Sequence, residues 1–130
     1  MSFFRALLGR CGTEPLSPDL WGVEGDKVRV KLSQMPQPLP RGGGVYLKEQ
    51  GLRRPVLVVR TDDDQYLAFE NRCTHAGRKV DPVAGEARLR CCSLSHSVFD
   101  LDGNVVKGPA KNPLKRYAVE QTEGDLVISL

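Results

Sequence analysis

The sequence predicts an all-β fold, an antiparallel β-barrel or sandwich of about eight or nine short strands. Short apolar, β-branched runs recur about every ten residues, turn signals such as Asp102-Gly103 separate them, and a helical period is almost absent. At 130 residues the chain is long enough to bury one core without disulfides or metal. We therefore expect one folded domain.

The first half of the domain follows from alternation and turn residues. Val28, Val30 and Leu32 alternate with charged residues, which indicates a strand with one buried face. The proline- and glycine-rich stretch 36–44 must be a loop. The next predicted strands are 45–48, 55–61 and 65–70, the last two joined as a hairpin by the polar turn 62–64.

The second half continues as hairpins. Alternation over 87–91 predicts one strand. The predicted pairs are 98–101 with 104–106 around Asp102-Gly103, and 117–120 with 126–129 around Glu123-Gly124. An Asp-Gly pair between apolar runs is a strong hairpin signal.

Residues 1–25 are expected to be an N-terminal extension, and residues 26–130 the folded domain. The apolar residues of 3–9 fall on one side of a short helix that needs a surface to pack on, and the segment 13–21 is a linker broken by prolines. Trp21 is expected to anchor that linker on the domain. The helix either folds onto its own domain or docks on a partner protein or membrane surface. Cys11, which has no Cys or His neighbour, is expected to be a free thiol.

Composition excludes several classes of function. The net charge of +3 is small and mixed with acids, so nucleic acid is not expected as a partner. No window approaches the length of an apolar membrane span, and Arg5 interrupts the only apolar run near the start, which disfavours a secretory signal. We expect a soluble, cytoplasmic protein, and in that reducing compartment no structural disulfide.

Two short loops concentrate the reactive side chains of the chain. The loops 73–78 and 91–97 hold three of the four cysteines and both histidines. Thiolate and imidazole are the ligands that hold zinc or iron–sulfur clusters in proteins. The loops leave neighbouring hairpin ends, so we expect them to meet at one tip of the barrel and form a metal site.

The ligand spacing resembles that of the Rieske family. Cys73-x-His75 is followed by sixteen residues and then by Cys92-x-x-Ser95-His96. The resemblance extends to Gly77, to the pair Phe99-Asp100, and to a proline loop that begins at Gly108-Pro109-Ala110, with Pro113-Leu114 and Tyr117 also in register. It implies a Rieske-like β-barrel or sandwich with a cluster-binding subdomain made of two loops plus the proline loop. It also implies a 2Fe-2S cluster, with Cys73 and Cys92 on one iron and His75 and His96 on the other.

One departure from the family pattern concerns the second histidine. The family places it where this chain has Ser95, and His96 stands where the family has a glycine. This departure leaves several alternatives open. Either His96 reaches the iron through a loop shifted by one residue, or Ser95 or a solvent oxygen is the fourth ligand, or the cluster is absent. A zinc site is a further alternative. Cys91 is expected to face the barrel interior as an apolar residue, the alternative being a substitute ligand.

The resemblance also implies how the cluster is tuned. Ser97 falls where high-potential members place a serine that donates to a bridging sulfide, whereas Phe99 replaces a tyrosine and cannot donate. Arg78 and Leu94 replace the loop-bridging disulfide of the cytochrome bc type. We expect an intermediate to low reduction potential, and count Ser97, Phe99, Gly108 and Pro109 among the cofactor-binding residues.

The expected function is electron transfer, as a ferredoxin or as the ferredoxin-like subunit of a redox complex. The rival is a cluster-free Rieske fold that serves as a structural or regulatory subunit. A basic collar is expected to steer an acidic protein redox partner to the tip; its members are Arg72, Arg78, Lys79, Lys107, Lys111, Lys115 and Arg116. The N-terminal extension is expected to assist docking. Nothing in the sequence resembles a catalytic pair, so the chain alone is not expected to be an enzyme.

Overall fold

The computed structural model describes residues 13–73, 79–83, 85–92 and 97–130. These residues form twelve strands and two 3₁₀ turns, Pro18–Leu20 and Leu32–Gln34. The strands are β1 Glu14–Pro15, β2 Trp21–Glu24, β3 Lys27–Val30, β4 Gly44–Leu47, β5 Val56–Arg60, β6 Tyr66–Glu70, β7 Val80–Val83, β8 Arg88–Cys91, β9 Val98–Asp100, β10 Val105–Lys107, β11 Arg116–Thr122 and β12 Asp125–Ser129. None of the helical segments in the described ranges has the length and hydropathy of a membrane span.

The strands form two sheets. The larger sheet has the order β1-β4-β5-β6-β11-β12-β3-β2, and the smaller has the order β10-β9-β8-β7. All pairs are antiparallel except β1 with β4. The smaller sheet contains the strands on either side of the second cysteine loop, so it is the sheet that positions the candidate site.

The centre of the larger sheet lies between two cores. In β5, Leu57 and Val59 pack in the core beneath the smaller sheet, whereas Val56 and Val58 pack in a second core with Trp21. Alternate side chains of a strand point to opposite faces, so a strand buried on both faces has a continuous apolar sequence. The run Val56–Val59 is therefore apolar throughout because it separates the two cores.

The predicted all-β class and the predicted hairpins are confirmed. Strands β5 and β6 pair around the turn at 62–64, and β9 with β10 and β11 with β12 pair around the two glycine turns. Gly103 and Gly124 have φ of 92° and 74°, the left-handed region that glycine adopts without strain. Strand β7, which contains Pro82, carries a much weaker sequence signal, since proline disfavours strand interiors.

Strand pairing begins earlier than the expected residue 26. Strand β2 pairs with β3, and Trp21 lies opposite Val30 with only 4% of its surface exposed. The anchoring role expected for Trp21 is confirmed, but the segment around it is part of the sheet rather than a linker. The sequence does not indicate strand β2, because Pro15 and Pro18 interrupt the apolar pattern before it. The helix expected at 3–9 and Cys11 lie outside the described residues.

Candidate metal centre

The first ligand loop leaves the end of β6 and returns into β7. Cys73, at the start of this loop, is 1% exposed and packs in the core beneath the smaller sheet. Two residues earlier, the Oδ1 atom of Asn71 accepts a hydrogen bond from the backbone N–H of Val80 at 2.8 Å. This bond holds the beginning and the end of the loop together. His75, Gly77 and Arg78 of this loop lie outside the described residues.

The second ligand loop is held beside the first by the pairing of β7 with β8. In this register Val80 lies opposite Cys91, and the backbone N–H of Cys92 donates to the carbonyl of Lys79 at 2.9 Å. The N–H of Cys91 donates to the carbonyl of Ser97 at 2.8 Å, which closes the second loop at its base. The described ends of the two loops therefore meet at one end of the β7–β8 hairpin, as expected. Ser95, His96 and Leu94 lie outside the described residues.

The described cysteines differ in state and burial. Cys73 and Cys91 are reduced and buried, and the expected inward orientation of Cys91 is confirmed by its packing in the core. Cys92 is partly exposed and takes part in a disulfide, contrary to the expectation that the chain has none. That expectation rested on the cellular compartment, which does not reveal which thiols a fold brings together. One sulfur cannot form a disulfide and bind iron as a thiolate, so ligation by Cys92 requires the reduced chain.

The proline loop packs against the end of the second ligand loop. The Oγ atom of Ser97 accepts a hydrogen bond from the N–H of Ala110 at 3.1 Å, and both residues are buried. Gly108 has a φ of 98°, so the loop turns there in a conformation suited to glycine. Pro109 follows directly. The proline loop thus lies beside the base of the second ligand loop, as the resemblance implies.

Phe99 contributes to the core of the smaller sheet. It lies on β9 opposite Leu89 and Val105, and its side chain is fully buried. Phe99 therefore packs beneath the loops. Because a phenyl ring has no hydroxyl group, Phe99 donates no hydrogen bond.

The residues present are compatible with an iron–sulfur cluster. The described residues alone do not gather three candidate metal ligands, since both histidines fall outside them. They do place Cys73 and Cys92 at adjacent loop bases, together with buried donors that suit an anionic sulfur cluster. The Nδ2 atom of Asn71 has no acceptor in the described part of the chain, and the hydroxyl of Ser97 has a hydrogen to donate besides the bond that it accepts. Buried thiolates and sulfides are acceptors that need such donors.

The basic collar is partly engaged by other groups. Lys79 donates to the hydroxyl of Tyr46 at 3.1 Å and lies 4.3 Å from the centre of its ring. Arg116 forms an ion pair of 2.9 Å with Asp102. The other described members, which are exposed around the two loops and the proline loop, are Arg72, Lys107, Lys111 and Lys115.

Tyr117 lies below the collar, on β11. Burial raises the pKa of its phenol above the ordinary value, the carboxylate of Glu70 raises it further, and Arg54 opposes the shift. Lys115 lies 5.3 Å from the centre of its ring. Tyr117 therefore remains a neutral, partly buried aromatic residue at neutral pH.

Two residues of the site were not foreseen from the sequence. Asn71 holds the base of the first loop, and Tyr46 is bound by Lys79, whose carbonyl in turn holds Cys92. Asn71 carries a weak signal in the sequence, as an amide at the end of an apolar strand and two residues before a candidate ligand. Tyr46 carries none, because it is 33 residues from Lys79 in the chain and only folding joins them.

Sequence comparison identifies relatives with known roles. The chain is 39% identical over 56 residues to the alpha subunit of chlorobenzene dioxygenase from Cupriavidus sp., covering 42% of this chain and 12% of that protein. It is 32% identical over 84 residues to the chloroplastic iron–sulfur subunit of the cytochrome b6-f complex from Bigelowiella natans, covering 62% and 33%. The chain thus spans a third or less of the length of these curated relatives.

Solved structures with a similar fold include small electron carriers. The ferredoxin of carbazole 1,9a-dioxygenase from Nocardioides aromaticivorans superposes with a TM-score of 0.64 at 24% identity, covering 81% of this chain and 98% of that one. A plasma membrane Rieske protein from Synechocystis PCC 6803 superposes with a TM-score of 0.57 at 26% identity, covering 68% and 87%. The similarity of the ferredoxin extends over almost its whole length, and at this identity it supports the fold.

The family follows from a match to most of the domain. The sequence model of the Rieske [2Fe-2S] domain matches residues 19–118, which include both ligand loops, the proline loop and strand β2. The cofactor of this family is a 2Fe-2S cluster, which carries one electron at a time. The chain is a member of the Rieske [2Fe-2S] domain family.

Proposed function

We propose that this protein transfers electrons through a 2Fe-2S cluster, as a ferredoxin or as the ferredoxin-like subunit of a redox complex. The observation that carries the proposal is the pairing of Val80 with Cys91, which brings the bases of both ligand loops to one end of a hairpin. Cys73 is reduced and buried there, within a family whose cofactor is this cluster.

The proposed ligands are Cys73 and Cys92 on one iron, and His75 and His96 on the other. The cluster supplies a site that is reduced and oxidised by one electron, and the protein itself forms and breaks no covalent bond of a substrate. The chain buries Cys73, fixes the loop bases by backbone hydrogen bonds, and packs the proline loop over the second loop. The ligation by His96 requires the second loop to differ by one residue from the family pattern.

The proposed partner is a redox protein with an acidic surface. The exposed cations of the basic collar attract such a surface and steer it to the tip, an effect that salt weakens. Thr13 donates to the carboxylate of Asp81 on β7, so the N-terminal segment reaches the sheet that carries the loops. For this reason we include residues 1–12 in the docking surface. We further propose that the protein is located in the cytoplasm.

A similar protein illustrates such a partnership. The structure of a carbazole 1,9a-dioxygenase complex, similar to this chain at 22% identity with a TM-score of 0.60, contains a ferredoxin bound to its oxygenase. An oxygenase or a cytochrome-type complex is the class of partner that we propose here.

A cluster-free structural or regulatory subunit is the alternative function. Ser95 favours it, because it stands where the family has the second histidine ligand. In that case the barrel serves only to bind another protein.

The test is reconstitution of the reduced chain with iron and sulfide in the absence of oxygen. We expect two irons and two acid-labile sulfides per chain, and a dithionite-reduced EPR spectrum with the low average g value of a Rieske centre. Reduction of Cys92 before reconstitution excludes the disulfide as a cause of failure. A colourless protein without iron and sulfide after this treatment supports the alternative.

Matched variants separate the candidate ligands. Cys73→Ser and His96→Ala are expected to lose the Rieske spectrum, whereas Cys91→Ala, next to a candidate ligand, is expected to retain it. Ser95→Ala tests the competing fourth ligand and is expected to retain the spectrum. Retention in His96→Ala with loss in Ser95→Ala would transfer the ligand role to Ser95.

A further inference from the structure

Asn71 occupies a position between the larger sheet and the first ligand loop. Its backbone N–H donates to the carbonyl of Pro55 at 2.8 Å, and its Oδ1 atom accepts from the N–H of Val80 at 2.8 Å. The residue is 3% exposed. One residue therefore joins the strand before the loop, the strand after it, and a neighbouring turn of the larger sheet.

The side-chain amide nitrogen of Asn71 has no acceptor in the described part of the chain. The Nδ2 atom is buried and makes no hydrogen bond within the described part of the chain. Buried donors are almost always paired, because a donor that is removed from water without an acceptor destabilises the fold. The one other such side-chain atom among the described residues is Nε1 of Trp21, which lies in the second core.

A complementary group lies two residues further along the chain. Cys73 is buried in the same region, and its sulfur is a weak acceptor as a thiol. Once a thiolate binds iron it is negatively charged and accepts only, so burial leaves it in need of donors. The unpaired donor of Asn71 and the sulfur of Cys73 are thus two residues apart in the chain and share the base of one loop.

We propose that Asn71 is a positioning residue of the cluster site: its Oδ1 atom closes the first ligand loop on Val80, and its Nδ2–H group donates to the Cys73 thiolate that binds iron. The inference rests on the proposed function, since it requires the cluster. A hydrogen bond to a ligand sulfur withdraws negative charge and favours the reduced cluster. Asn71 therefore raises the reduction potential.

The first measurement uses the wild-type protein, with its cluster, labelled with ¹⁵N only in the side-chain amide of asparagine. The chain contains three asparagines, Asn71, Asn104 and Asn112. Pulsed EPR of the reduced cluster is expected to detect a weak ¹⁵N coupling, transmitted through the hydrogen bond. We expect the coupling to disappear in Asn71→Leu and to persist in Trp21→Phe, which removes the other unpaired donor from the distant core.

The second measurement tests loop closure and potential in the same variants. In Asn71→Leu, the backbone N–H of Val80 is expected to exchange with deuterium faster than in the wild type, and the midpoint potential to shift to more negative values. In Trp21→Phe both are expected to stay at the wild-type values. The substitution of asparagine by leucine leaves the charge of the site unchanged, so a shift in potential is not a charge effect.

The outcomes separate the two proposals. A wild-type Rieske EPR signal without ¹⁵N coupling overturns the role of Asn71 toward Cys73 and leaves electron transfer intact. The absence of iron and of any EPR signal contradicts the proposed function itself. Because the absence of ¹⁵N coupling in the wild-type protein is enough to overturn the inference, it is testable even if Asn71→Leu does not fold.

Discussion

A single hydroxyl group at Ser97 connects two loops of the site. Its Oγ atom accepts from Ala110, so it ties the end of the second ligand loop to the proline loop. A serine hydroxyl has one hydrogen and two lone pairs, and the accepted bond leaves the hydrogen for a second partner. The resemblance to the family predicted this hydrogen as a donor to the cluster, but not the bond that holds the proline loop.

Ser97→Ala is expected to destabilise the fold as well as the reduced cluster. The substitution leaves the buried N–H of Ala110 without its acceptor, which lowers the free energy of unfolding by about 1–3 kcal/mol. Loss of the donor shifts the midpoint potential of the cluster-bound protein to more negative values. Urea denaturation and voltammetry measure the two effects.

The control for this substitution is Ser129→Ala, which removes a hydroxyl from an exposed contact with Lys27. We expect its free energy of unfolding to stay within about 0.5 kcal/mol of the wild type. Equal stability of the two variants would show that the bond from Ala110 to Ser97 contributes nothing to the fold.

The β9–β10 hairpin is the element that supports the proline loop. Its turn is fixed by the carboxylate of Asp100, which accepts from the N–H groups of Asp102 and Asn104 at 2.9 Å each. The carbonyl of Gly103 accepts from the N–H of Leu114 at 2.7 Å, and a Cβ atom on Gly103 would lie 2.3 Å from the carbonyl oxygen of Leu114. Glycine is thus required here both by φ and by close approach of the proline loop.

Gly103→Ala is expected to disrupt this contact. The positive φ alone costs about 1 kcal/mol for alanine, and the overlap with Leu114 raises the loss of unfolding free energy to about 3 kcal/mol or more. The matched control is Gly25→Ala, also at a hairpin turn with positive φ but with nothing within 4 Å of the added atom. Chemical denaturation of both variants makes the comparison, and a similar loss in the two would contradict the packing argument.

At the scale of the whole molecule, one large sheet supports two cores. Strand β5 separates them, and the smaller sheet covers the core that contains Cys73. Strand β2 forms the far edge of the larger sheet and contributes Trp21 to the second core. Strand β2 is therefore structural, although β11, β12 and β3 separate it from β6, the strand that leads into the first ligand loop.

A chain that begins at Asp26 is expected to be much less stable than one that begins at Thr13. The shorter chain loses β2 and the buried Trp21, and the loss of a buried tryptophan side chain alone costs about 3–5 kcal/mol. The chain that begins at Thr13 is the control because it retains every described strand. Thermal unfolding followed by circular dichroism compares them, and melting temperatures within a few degrees of each other would be inconsistent with a structural role for β2.

The sequence by itself determined the fold class, the main hairpins and the family. Alternation and glycine turns depend only on residues that are close together in the chain. The spacing of the cysteines and histidines can be read without knowing how the strands pair. The positions of β1, β2 and β7 were weakly signalled, because Pro15 and Pro82 lie within β1 and β7 and the 3₁₀ turn that begins at Pro18 directly precedes β2.

Only the tertiary structure decided how the site is held. The bond from Val80 to Asn71, the bond from Ala110 to Ser97 and the contact between Gly103 and Leu114 join residues that are nine to thirteen positions apart in loops without a periodic pattern. The disulfide at Cys92 and the division of β5 between two cores likewise depend on which surfaces meet after folding. Local sequence pattern carries no record of such contacts, because they arise from the packing of segments whose separation along the chain is arbitrary.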